Sequence, residues 1–105
     1  MSVGSVVVRT RIANNATHVD LRISHPMESG ARTDAQGVVI PSWYLTHMDV
    51  YHEDKLVAQL ELGPLVSRNP AMSLVLNGGE ENGVIKVTWR DNRGKVGEKF
   101  ATIVA

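Results

Sequence analysis

Two histidine-and-carboxylate groupings offer the only reactive side-chain patterns in this chain. His47 and Asp49 stand two residues apart in LTHMDVYH, and Glu28 and Asp34 flank Arg32 in HPMESGARTDAQG. In an extended segment, alternate side chains share a face, so His47 and Asp49 could both point at one metal ion. No third ligand is fixed by spacing, and the same pattern describes the solvated face of any strand. His18 and His52 are expected to be exposed and uninvolved. His25 precedes Pro26, and its ring is expected to order a loop entrance rather than move protons.

Glu28 and Asp34 would suit general acid and base if they stood alone. The arginine between them favours ion pairs and loop-ordering hydrogen bonds instead. Ser24, Ser29, Ser42 and Ser67 lack a nucleophile-elbow pattern. Gly78 and Gly79 do not lead into a helix, so they do not read as a phosphate cradle. The chain has no cysteine, which removes thiol nucleophiles, disulfides and thiolate metal sites together. The reading is therefore a chain with no catalytic residue, no cofactor and no metal of its own.

Composition narrows the partners. Eleven basic residues balance eleven acidic ones, so the overall charge points to neither nucleic acid nor an anionic membrane. The first twelve residues alternate apolar groups with Arg9 and Arg11 and hold no apolar core of a secretory signal. Nothing approaches the run of about 20 apolar residues that a membrane helix needs.

The elements that must position these groups are strands. In THVDLRIS, Val19, Leu21 and Ile23 alternate with His18, Asp20 and Arg22, the pattern of a half-buried strand. The preceding segment sets Val6, Val8 and Ile12 against Val7, Arg9 and Arg11, with Asn14-Asn15 as the turn. Met48 and Val50 are expected inward on the next strand. After a hairpin turn at His52-Glu53-Asp54, Leu56, Ala58, Leu60 and Leu62 are expected inward too. Met72, Leu74 and Leu76 mark a fifth strand, Ile85, Val87 and Trp89 a sixth, and residues 97–104 a seventh. Trp89 is read as a core anchor. Seven short strands separated by Asn, Asp and Gly turns predict one all-β domain over residues 1–105, an immunoglobulin-like antiparallel sandwich; a closed barrel is the alternative.

Two stretches escape the alternation. His25 to Gly37 continues into VVIPSWYL, and Gly63 to Pro70 reads GPLVSRNP. Prolines at 41, 64 and 70 restrict the backbone and lower the entropy lost on ordering. Rigid loops that present Trp, Tyr, Met and Arg have the composition of an interface. The candidate partner-binding residues are Met27, Glu28, Arg32, Asp34, Ile40, Pro41, Trp43, Tyr44, Val66, Ser67, Arg68, Asn69 and Pro70. The opposing structural reading has the apolar ones closing the end of the sandwich, which can hold for Trp43 while Tyr44 reaches a partner.

HPMESGARTDAQGVVIP, GPLVSRNP and VTWRDNRG, in this order and spacing, resemble the SoxZ family of the bacterial thiosulfate-oxidation (Sox) system. The likeness runs from His25 to the C-terminus, with a weaker first quarter. Gly30, Arg32, Asp34, Gly37, Ile40 and Pro41 fit the family pattern, as do Gly63, Pro64, Val66, Ser67, Asn69 and Pro70. Arg68 stands where lysine is usual, and IPSWYL replaces the common IPAHFI, so no role of that histidine transfers. The resemblance implies a non-catalytic subunit that pairs with a SoxY-like protein, whose C-terminal arm carries sulfur on a cysteine. It implies transient contact with other Sox enzymes and a periplasmic location reached by co-export with a signal-bearing partner. Expressed alone, such a chain has a homodimer as an alternative. The reading from another class is a free-standing immunoglobulin-like ligand- or metal-binding module that uses His47 and Asp49.

Overall fold

A computed structural model describes residues 5–66 and 68–104. Seven strands run in chain order: β1 (Ser5–Ala13), β2 (Ala16–Ser24), β3 (Leu45–His52), β4 (Lys55–Glu61), β5 (Ala71–Asn77), β6 (Val84–Asp91) and β7 (Val96–Thr102). They form two antiparallel sheets, β1-β2-β5 and β4-β3-β6-β7, and no helix occurs among the described residues. This is the immunoglobulin-like sandwich rather than the barrel. Each sheet turns its apolar face inward. Val19, Leu21 and Ile23 of β2 meet Met48 and Val50 of β3 and Ile85 and Val87 of β6 in one core, all essentially solvent-free.

Local sequence explains the hairpins. Asn14 and Asn15 both take positive φ (53° and 62°), as do Glu53 and Asp54 (49° and 65°). Two left-handed residues in succession make the turn whose twist matches the flanking strands.

Three expectations need correction. Leu56 is 42% exposed. The pairing of β3 with β4 steps from Val50↔Ala58 to Tyr51↔Leu56 and leaves Val57 without a partner; this bulge turns Leu56 outward beside Tyr51. The last strand ends at Thr102 rather than 104, and the buried Ile103 that follows donates its N–H to Gly83 O at 2.8 Å. His18 and His52 are half-buried, not exposed. Trp89 is half-buried and packs on the core, its indole lying over Gly97, where a β-carbon would come within 2.4 Å of the ring.

Candidate partner-binding surface

The registers bring both irregular stretches to one end of the sandwich. β2 ends at Ser24, β3 begins with Leu45 opposite Asp91, and β5 begins with Ala71 opposite Arg22. The segments 25–44, 62–70 and 92–95 therefore leave the sheets side by side.

His25 joins the first two. Its N–H donates to Asn69 Oδ1 at 3.0 Å and its carbonyl accepts from Asn69 N–H at 2.9 Å. Its buried ring accepts the Met27 N–H at Nδ1, 3.1 Å away. That bond fixes the tautomer with the proton on Nε2, and Nε2 has no hydrogen-bond partner. The ring meets Trp43 edge-on, 5.1 Å between centroids. Burial pushes the His25 pKa down; Asp91 opposes that shift and Arg93 adds to it. The expectation that His25 orders the loop entrance agrees with this geometry.

Met27 sits in the left-handed region (φ 50°), uncommon for a residue that is neither Gly nor Asn. It is held there by the His25 bond and by Leu45 N–H, which donates to its Sδ at 3.4 Å. Glu28 and Trp43 exchange backbone hydrogen bonds of 2.7 and 2.8 Å, and Thr33 bridges Val39 further out. Segment 25–44 is therefore an irregular hairpin rather than a loop without order. Its tip turns at Asp34, whose Oδ1 accepts from Gln36 N–H and Val38 N–H at 2.9 and 3.0 Å, and at Gly37 with φ 80°.

Glu28 and Arg32 form a forked ion pair, with Nε donating to Oε2 at 3.2 Å and Nη2 to Oε1. The Arg32 hydrogen bond overcomes partial desolvation and lowers the Glu28 pKa, with the charges of Arg32 and Arg68 acting in the same direction. Asp34 stays outside this pair and spends its oxygen on backbone, so the expected cluster of three divides into an ion pair and a turn cap.

The third segment contributes residues that sequence reasoning passed over. Trp43 Nε1 donates to Asp91 Oδ2 at 3.0 Å, and the Arg93 guanidinium lies 4.5 Å from the Trp43 ring. Asp91 Oδ1 also accepts from the backbone of Arg93 and Lys95, each at 2.9 Å. Burial opposes ionisation of Asp91, but the bonds from Trp43, Lys95 and Arg93 and the nearby His25 outweigh it and hold its pKa below the ordinary value. Tyr44 N–H donates to Asn92 Oδ1, and Asn92 N–H to Tyr44 O, both at 2.9 Å. The available signal was the turn DNRG, Asp first and Gly fourth.

Of the thirteen candidates, Arg32, Asp34, Pro41, Arg68 and Asn69 are exposed, and Ile40, Trp43, Tyr44 and Val66 are half-buried. Met27 and Pro70 are buried, as is most of Glu28. Met27 and Pro70 brace the surface from below; Pro70 O accepts the Ile23 N–H at 3.0 Å. Ser67 lies outside the described residues. The apolar groups that do face solvent here are Val38, Val39 and Leu65, at 61%, 56% and 95% exposure. His47 and Asp49 share the outer face of the four-stranded sheet, but no three His, Asp or Glu residues gather to hold a metal among the described residues. The braced end offers charged, amide and apolar surface rather than an acid–base pair.

The family model described as "Sulphur oxidation protein SoxZ" matches residues 7–102. No curated protein matches the chain in sequence. In three dimensions the chain is similar to a superoxide reductase in its oxidized state, with a TM-score of 0.72, 13% identity, and coverage of 98% of this chain and 90% of that one. At that identity the likeness shows the fold alone.

Proposed function

The chain belongs to the SoxZ family of sulphur oxidation proteins, and from that premise we propose that it is a non-catalytic subunit whose braced end pairs with a SoxY-like carrier. Pairing takes place in the periplasm after co-export with that signal-bearing partner, and the complex presents the carrier arm to visiting Sox enzymes. Membership gives the role in sulfur oxidation. The cross-bracing of three chain segments around His25, Trp43 and Asp91 is the observation that carries the pairing. Such bracing fixes a surface before a partner arrives, which lowers the ordering cost of association.

Of the thirteen candidate contacts, the exposed Arg32, Asp34, Arg68 and Asn69 supply the polar part of the interface, and the exposed Pro41 with the half-buried Ile40, Tyr44 and Val66 supply the apolar part. A stable pair of this kind buries on the order of 1,200–2,000 Å² in total. Co-expression with the cognate carrier subunit is expected to give a one-to-one complex by native mass spectrometry. Recovery of two separate monomers by size exclusion at micromolar concentration would overturn the reading.

A further inference from the structure

We propose that the outer face of the three-stranded sheet is a docking strip for an extended acidic segment of a partner protein. Because Val19, Leu21 and Ile23 fill the core, the residues alternating with them face out. The register sets Arg22 opposite Val7, Arg9 opposite Asp20, and Arg11 opposite His18. All three arginines are exposed. None has a carboxylate within salt-bridge distance, since the Arg32 pair with Glu28 is the one salt bridge among the described residues. Asp20 is the single acid on these three strands, and it accepts the Ser73 hydroxyl at 2.6 Å, on the β5 side. The neutral total charge therefore conceals a local excess of cations.

The spacing selects the occupant. Arg9 and Arg11 alternate along β1 at about 7 Å, and Arg22 is the diagonal neighbour of Arg9 at about 7–8 Å. The order Arg11, Arg9, Arg22 thus makes a line of cations. An extended chain repeats its same-side groups at about 7 Å, so acids at alternate positions meet successive guanidiniums. A small oxoanion needs donors that converge on one point, whereas the register spaces Arg11, Arg9 and Arg22 about 7 Å apart along the sheet. Val7, 46% exposed, supplies apolar contact beside the charges.

The probe is a fluorescein-labelled peptide of alternating Glu and Ser, titrated against the full chain and followed by anisotropy. The triple variant Arg9→Gln, Arg11→Gln, Arg22→Gln is expected to bind about tenfold more weakly. The corresponding triple Arg→Lys variant keeps most of the binding, and added salt weakens it. Thermal melts of both variants should match the parent, since the side chains are exposed. Equal binding by the Gln variant would overturn the proposal. So would a parent chain that prefers phosphatidylglycerol vesicles, a thymidine oligonucleotide or thiosulfate to the peptide. The strip runs along a sheet face away from the braced end and only Arg22 approaches that end, so its failure leaves the carrier-pairing reading standing.

Discussion

The two ends of the sandwich are closed by different means. At one end, Asn14-Asn15, Glu53-Asp54 and residues 78–83 make turns held largely by backbone, such as Gly78 N–H to Asn15 O at 3.0 Å and Asn82 N–H to Ile103 O at 2.8 Å. At the other, side chains 44 to 48 residues apart join three segments through His25 and Asn69, Trp43 and Asp91, and Tyr44 and Asn92. Local turns set strand register. Long-range braces fix the shape of a surface, and that rigidity is what the proposed pairing uses.

Met27 is the most sensitive point of the braced end. Met27→Ala empties a core position directly beneath the braces and should lower stability by about 2–5 kcal/mol in urea titrations. A loss as small as that of a surface substitution would mean the braces do not depend on it. Asp91→Ala removes the acceptor of three hydrogen bonds and is expected to cost about 2–3 kcal/mol, with a blue- or red-shifted Trp emission as Trp43 loses its partner. An unchanged melt and spectrum would contradict the bracing role.

The backbone-closed end has its own sensitive point in Gly79. Its φ is +108°, and a β-carbon there would lie 1.9 Å from Thr17 Oγ1, whose hydroxyl already donates to Gly78 O at 2.7 Å. Gly79→Ala is expected to cost about 1–3 kcal/mol while leaving carrier binding intact. Lost binding in a folded Gly79→Ala variant would show that the two ends are not independent.

A smaller effect follows from His25. Burial lowers its folded pKa below the ordinary 6.5, so the unfolded chain takes up the proton first. Its contribution is present above pH 6.5 and is lost as pH falls from there through the depressed folded pKa. Urea midpoints should decline over that window in the parent and decline less in His25→Gln. Parallel curves would remove His25 as the source. The smallest effect belongs to Glu28→Gln, because Arg32 is 58% exposed in its side chain: the global melt should not move, although amide exchange at residues 29–33 should quicken.

The contrast between the ends also explains what the residues disclosed in advance. The hairpins at Asn14-Asn15 and Glu53-Asp54 were legible because their cause lies within a few residues of their effect. Alternation identified the inward side chains of β2, β3 and β6 for the same reason. Leu56 escaped because a bulge at Val57 changes the facing without any Gly or Pro to mark it. The braced end was half legible: its segments and the ordering roles of Glu28, Arg32 and Asp34 could be anticipated. The contacts of Trp43 with Asp91 and of His25 with Asn69 could not, since nothing local links residues so far apart in the chain. Met27 looked like an interface group because composition does not reveal that an isolated apolar side chain in a polar stretch has turned into the core.

Hydrogen–deuterium exchange on the one-to-one complex with the carrier subunit shows which end of the sandwich the carrier covers. New protection, relative to the free chain, is expected in residues 25–44, 63–70 and 91–95, with little change at 14–15, 53–54 and 78–83. Protection concentrated at the backbone-closed end, with the braced end unchanged, would contradict pairing at the braced end.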